Sequence, residues 1–278
     1  MSISILVLTH NEEINLPGCL ASVRWSDDVV VFDSFSTDCT PEIARDAGAR
    51  VIQHAFVNYG SQREAARMLV PYKHPWVLAL DADERPDQEL VREVCGVASQ
   101  PMTDTVAYRV RRKDHFQGRW IKHSTLYPSW FVRLYRPDQV RYPARAVHEY
   151  PETLGRLGAL GGHLIHEPFA KGLDHWWARH RRYAELEARE MAAEVRADRG
   201  SLVGIMSRDP VRRRRALKAL SFQLPARPWL RFFYMYVLRQ GFLDGVPGYR
   251  YCAMIAEYQH LIDRHLAAAK NDTTCRSS

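Results

Sequence analysis

The chain of 278 residues carries 39 Lys and Arg against 32 Asp and Glu, a formal net charge of +7, and 46% of its residues are apolar. That is enough apolar material for one large α/β domain or a catalytic domain with an appendage, and the basic excess points to an anionic partner. Five scattered cysteines with no C-x-x-C spacing argue against a disulfide framework or a thiolate metal site and suit a reducing cytosol. The opening residues do not read as a signal peptide, and no run reaches the roughly 18 apolar residues of a membrane-spanning helix.

Strand-like and helix-like pieces alternate through residues 1–100. "ISILVL" (3–8) and "DVVVFD" (28–33) are short, apolar and rich in β-branched residues, as buried strands are. After the second, Thr40 as N-cap, Pro41 at the first helical position and Gly48 at the end mark a helix. "RVIQHAF" (50–56) reads as a third strand, "SQREAARMLV" (61–70) as a helix, "WVLALD" (76–81) as a fourth strand and "DQELVREVCGVA" (87–98) as another helix. Such alternation predicts a parallel, doubly wound sheet that binds ligands beyond the carboxyl ends of its strands. Thr9, His10, Asn11, Glu12, Asp33 and Asp81 all stand at those ends.

Residues 104–150 change character. "TVAYRVRR" and "WFVRLYR" alternate as strands of a mixed extension, a second cleft wall in which Arg119, Lys122, Tyr127 and Arg133 are candidates to meet an anionic ligand. From 174 to 200 a helix carries the stripe Trp177, Ala184, Ala188, Met191 and Val195 and closes at Gly200. Residues 208–239 are basic, then aromatic. This suits an interfacial element on an anionic membrane surface, with a helix packed on the catalytic domain as the alternative. No nucleic-acid recognition motif accompanies the basic run, so no nucleic-acid partner is expected.

"WVLALDADERPD" ends an apolar run in Asp81, Asp83 and Glu84. Alone, this is a strand entering a solvated turn. Together with "SILVLTHNEEINLPGCLASV", "VVVFDSFSTDCTPEIARDAGARV" and "GSQREAA", in this order and spacing, it resembles the family 2 inverting glycosyltransferases of the GT-A fold. The resemblance continues through "RLYR", "VHE" and "HLIHEP" and a C-terminal "RFFYMYVLRQGFLDGVPGYRYCAMIAEY", which look like the lipopolysaccharide-core glucosyltransferase branch.

The resemblance implies a Rossmann-like GT-A catalytic domain over 1–170, with a nucleotide-sugar half (1–100) and an acceptor half (101–170), and a helical, basic C-terminal region over 171–278. It implies a UDP-sugar donor, a glycolipid or saccharide acceptor, and Mg²⁺ or Mn²⁺ to neutralise the leaving diphosphate. Asp83 would hold the metal, and Asp81 the ribose or the metal's shell. Asp33 would read the base, and Thr9, Asn11 and Glu12 would form the first nucleotide loop. Arg63 would approach the phosphates, although Glu64 stands where an Asn is usual and is able to pair with it. Glu149, with His148 beside it, is the candidate base for the acceptor hydroxyl. His166 matches a histidine that adds a metal or diphosphate contact. The implied location is the cytosolic face of the cytoplasmic membrane. Transfer to another surface glycan or to a polyprenyl phosphate, and a noncatalytic glycan-binding or membrane-surface module, are the competing readings.

Overall fold

The computed structural model describes residues 3–100, 103–143, 151–197 and 226–275. The chain divides into two compact units, Met1–Trp120 with Leu126–Lys171, and Ile121–Thr125 with Gly172–Ser278.

In the first unit β1 (Ile3–Thr9), β2 (Val29–Asp33), β3 (Arg50–Gln53) and β4 (Trp76–Asp81) lie parallel in the order β3-β2-β1-β4. The continuous apolar character of β1, β2 and β4 follows from burial on both faces, while β3, at the sheet edge, is only half-buried. On β1, Ile3, Ile5 and Val7 enter one core layer and Leu6 the other; on β4, Leu78 and Leu80 oppose Val77 and Ala79 in the same way. The first layer is closed by α1 (Leu16–Ser22) and α4 (Gln88–Ser99), and the second by α3 (Tyr59–Leu69). Each fully buried Leu of this kind contributes about 1.5–3 kcal/mol of transfer free energy.

Local signals set the helix starts. Asn58 caps α3 by accepting from Ser61 N, and Asp87 caps α4 by accepting from Leu90 N. Before both in sequence, α2 spans Thr40–Asp46 with Cys39 at its cap position. The expected cap Thr40 is instead the first helical residue, because its hydroxyl is engaged with Asp38 and with the backbone N–H of Glu12. Gly48 follows with φ +80°, a left-handed conformation that glycine adopts without a Cβ clash.

Beyond β4 the sheet turns mixed. β8 (Ser129–Tyr135) is antiparallel to β4 and to β6 (Thr105–Phe116). β11 (Arg156–His166) then runs parallel to β6, and the short β5 (Glu84–Pro86) closes the edge antiparallel to β11. A two-residue turn at Gln117-Gly118, both at positive φ, folds β7 (Arg119–Trp120) back on β6, the backbone shape that tight hairpins favour. A separate pair joins β9 (Val140–Arg141) and β10 (Glu152–Thr153).

The second unit contains α5 (Leu173–Ala197), α6 (Arg227–Phe233), a π-turn segment over Tyr234–Leu238, a 3-10 turn over Gly241–Asp244 and α7 (Gly245–Cys275). Ala184 and Ala188 of α5 pack with Tyr258 and Ile262 of α7. The buried tryptophan is Trp176, not Trp177: it stacks on His180 with ring centroids 3.5 Å apart, which continues the four-residue spacing back from Ala188 and Ala184. Gly200 and the arginines Arg212 to Arg215 lie outside the described residues.

Candidate active site at the strand ends

The parallel register assembles the site. It sets Thr9 beside Asp33 and Leu8 beside Asp81, so three strand ends present their polar residues along one edge of the sheet.

The first corner is knitted by hydrogen bonds. Asp33 is fully buried; its Oδ1 accepts from Thr9 Oγ1 at 2.9 Å and from Ser36 Oγ, and its Oδ2 from Ser36 N at 2.9 Å and Gln53 Nε2 at 3.1 Å. All four donors are neutral. Asn11 has φ +56°, a left-handed conformation that Asn tolerates better than most residues, and its Oδ1 accepts from Thr37 N at 2.8 Å. Asn11 N donates to Ser36 Oγ at 2.8 Å and Glu12 N to Thr40 Oγ1 at 2.7 Å, so the loops after β1 and β2 hold each other. The Glu12 carboxylate accepts from Asn15 Nδ2 and Lys171 Nζ, yet burial raises its pKa more than these two partners lower it.

The second corner is built from charge. Asp81 accepts from Arg63 Nη2 on Oδ1 at 2.7 Å and from Arg133 Nη2 on Oδ2 at 2.6 Å. The same Arg133 nitrogen donates to Glu84 Oε1 at 2.7 Å, and Asp81 N donates to Glu84 Oε2 at 3.1 Å. Burial alone would raise the Asp81 carboxyl, but Arg133 and Arg63 outweigh it and hold it far below the usual range. Glu84, with no exposed surface, goes the other way, because burial outweighs Arg133.

Asp83 stands two residues from Asp81, facing His166. His166 Nε2 is 3.3 Å from Asp83 Oδ2, and its Nδ1 is 2.6 Å from Asp114 Oδ1. Burial and Arg112 push the imidazole down, but Asp83 and Asp114 carry it up to about 9. Asp114 orients the ring, and the other ring nitrogen is aimed at a carboxylate, the arrangement that metal-ligating histidines use. Asp83 offers the carboxylate oxygen that Mg²⁺ and Mn²⁺ prefer, with the imidazole nitrogen of His166 beside it. The donor set fits the implied cation.

A second group, Asp87, Glu89 and His163, has ligand atoms within 4.8 Å of one another. It is the poorer cation site. Lys113 Nζ already lies 3.5 Å from Asp87 Oδ2, and Asp87 Oδ1 is committed to capping α4. His163 and His166 are three residues apart on one strand and therefore face opposite sides of the sheet.

Sequence reasoning and structure meet unevenly here. Thr9 with Asp33, Arg63 with Asp81, and Asp83 with His166 are brought together, and Asn11 and Glu12 shape the loop above them. Glu64 pairs with Arg67 and accepts from Tyr142 N, which leaves Arg63 to Asp81. Glu149 and His148 lie outside the described residues. Arg133, proposed from sequence for an anionic ligand, is only 4% exposed and committed to Asp81 and Glu84. Asp114, Arg112 and Lys171 carried no earlier role. The signal for Asp114 was available as a charged pair, "KD", continuing an alternating strand.

A family model described as glycosyl transferase family 2 matches residues 4–155. The chain is 35% identical over 118 residues to an uncharacterized glycosyltransferase of Rickettsia typhi, a match spanning 42% of this chain and only 40% of that protein. It is 29% identical over 196 residues to the lipopolysaccharide core biosynthesis glycosyltransferase LpsC of Rhizobium meliloti, covering 68% of this chain and 71% of the relative. The crystal structure of S. aureus TarS 1–349 in complex with UDP-GlcNAc aligns over 91% of each chain at 17% identity, with a TM-score of 0.43.

Proposed function

The chain belongs to glycosyl transferase family 2, and from that premise we propose that it is a metal-dependent, inverting hexosyltransferase. It moves glucose from UDP-glucose onto a lipopolysaccharide-core or related cell-surface glycolipid. The observation that carries this reading is the Asp83–His166–Asp114 line at the end of β4, next to the Asp33 loop. The likeness to LpsC supports the acceptor class.

Asp83 Oδ2 and His166 Nε2 would hold Mg²⁺ or Mn²⁺, which neutralises charge on the departing diphosphate when bound. The chain's own residues do the rest. Asp114 keeps the His166 ring turned toward Asp83. Asp33 and the Thr9–Glu12 loop receive the nucleoside, and Arg63 approaches the phosphates. Glu149 takes the proton of the acceptor hydroxyl as that oxygen bonds to the anomeric carbon and the bond to the diphosphate breaks on the opposite face. A single displacement of this kind turns an α-linked donor into a β-linked product.

The protein works at the cytosolic face of an anionic membrane. Trp229, Leu230, Phe233, Tyr234, Val237 and Leu238 recur at helical spacing, and all are exposed, Trp229 at 75%. A contiguous aromatic and aliphatic stripe on a basic segment is the composition of an interfacial helix. Among the described residues no helix is long and apolar enough to cross a membrane. Binding to vesicles containing anionic lipid, weakening as salt rises and falling in Trp229→Ala with Phe233→Ser, is the expected result. Equal binding to neutral and anionic vesicles removes the electrostatic part.

A panel of UDP-glucose, UDP-N-acetylglucosamine and GDP-mannose, each with and without Mn²⁺, tests the donor by thermal shift, since a ligand of the native state raises its melting temperature. UDP-glucose with Mn²⁺ should give the largest shift. Glu149→Gln tests the base. It should lower kcat by about 10²–10⁴-fold, the scale of a positioned acid–base group, with the donor Kd unchanged. Near-normal kcat would move the role to His148.

A further inference from the structure

The third acid of "DADE" has no place in the reading above, and neither does the arginine that meets it. We propose that Glu84 and Arg133 are the brace that fixes the turn between β4 and β5, and that Arg133 is a positioning residue for Asp83. The proposal rests on Asp83 being the metal-holding acid.

The geometry forms a closed ring of contacts. Glu84 receives the Asp81 backbone N–H on one oxygen and Arg133 on the other, and Arg133 returns to the Asp81 side chain. Both bonds of Arg133 leave from a single nitrogen, Nη2. Only Ala82 and Asp83 lie between the two tied residues, so closing the ring leaves little freedom for where Asp83 points. Its backbone is pinned as well, since Glu167 N donates to Asp83 O at 2.9 Å.

Charge explains why an arginine stands there. Asp81, Asp83 and Asp114 converge around the fully buried Glu84, in partly shielded surroundings where like charges repel more than in water. Arg63 and Arg112 each approach this cluster, at 2.7 Å from Asp81 and 2.9 Å from Asp114. Arg133 contacts the acids at both ends of the turn at under 3 Å. Without it, Glu84 keeps the Asp81 N–H and, as its one arginine among the described residues, Arg112 at 3.8 Å, and the Asp81–Glu84 carboxylates are pushed apart across the residue that must meet His166. Arg133 itself is 4% exposed and both acids already occupy its terminal nitrogen, so it acts through them and not on the sugar nucleotide.

The test combines amide exchange with ligand binding in the full-length protein. In Arg133→Met, exchange should quicken in peptides covering residues 78–90 and not in those covering β1. The gain in UDP affinity that Mn²⁺ confers should fall about ten- to a hundredfold, the usual effect of removing a residue that orients a metal ligand, while affinity for UDP alone holds. Because one nitrogen makes both contacts, Arg133→Lys should recover part of that gain; recovery no better than in Arg133→Met overturns the charge brace. Should Arg133→Met fail to fold, the double variant Arg133→Met with Glu84→Gln removes both charges together. It should regain melting temperature but not the Mn²⁺-linked gain. Unchanged exchange and an unchanged gain in a folded variant overturn the proposal. A wild-type protein whose UDP affinity ignores Mn²⁺ removes the metal reading instead, and the exchange result then decides the brace alone.

Discussion

Asp28 and Asp33 stand at opposite ends of β2, both buried, and the two are held by different chemistry. At the amino end Asp28 accepts from Ser4 Oγ, from Lys73 N at 2.9 Å and from Arg50 Nη2 at 2.7 Å, a carboxylate with its own counter-charge. Ser4 in turn accepts from His74 N, so this one acid ties the entrances of β1, β2 and β4. At the carboxyl end the four donors to Asp33 are all neutral. One end pairs its carboxylate with a cation of the fold, and the other holds its carboxylate through neutral donors. Parallel sheets favour that division, since their ligands gather at the carboxyl ends.

Substitutions at the two ends should therefore separate activity from stability. The largest effect is expected for Asp83→Asn. Turnover should fall about 10²–10³-fold, as when one electrostatic partner of a transition state is lost, with the urea midpoint nearly unchanged. A large stability loss in that variant would break the comparison, because it would make the carboxyl end structural too.

Asp28→Asn should do the reverse. It should cost about 2–3 kcal/mol in urea unfolding, the scale of charged hydrogen bonds left unmet, and somewhat less than a fully buried pair because Arg50 reaches water. UDP affinity of the folded protein should not move. Reduced UDP binding in this variant would show that the two ends are coupled through β2.

Thr9→Val is a smaller perturbation at the ligand end. It keeps shape and removes one of four donors to Asp33, and it should cost about 1 kcal/mol. A weaker affinity for UDP should accompany it, measurable by calorimetry. Loss of stability with no change in affinity would assign Asp33 to the fold.

The smallest effect is in acid. Burial alone would raise the Asp28 carboxyl, but Ser4, the Lys73 N–H and Arg50 hold it below the usual range. A depressed folded pKa means that the stability it supplies is present above the unfolded value of about 3.9 and is lost as pH falls below it. The acid limb of melting temperature against pH should thus be shallower in Asp28→Asn than in wild type. Parallel limbs would remove Asp28 from the acid response.

How much of this was legible beforehand depends on the range of the interaction. β1, β2 and β4 could be read because burial on both faces demands uninterrupted apolar runs, and the runs at 3–8, 28–33 and 76–81 meet that demand locally. The placing of Thr9, Asp33 and Asp81 at strand ends followed from the same pattern. Strand lengths did not follow so well. β3 stops at Gln53, short of the apolar "AF" at 55–56, while β6 continues through "KDHF", because pairing with a neighbour, not composition, extends a strand. Trp176 and Trp177 are adjacent, and only packing on α5 chose which turns inward.

The charged corner is where the sequence reached its limit. Glu84 and Arg133 are distant in the chain, and each alone reads as a solvated residue near a binding cleft. They meet because β8 pairs with β4 and β5 crosses to the far edge beside β11, a topology no local pattern encodes. The sequence by itself determined which residue types stand at the strand ends, since backbone periodicity and turn chemistry are short-range. Only the tertiary structure decided which acid is braced by arginines and which faces a histidine, since a buried charge takes its role from the partners that the fold sets beside it.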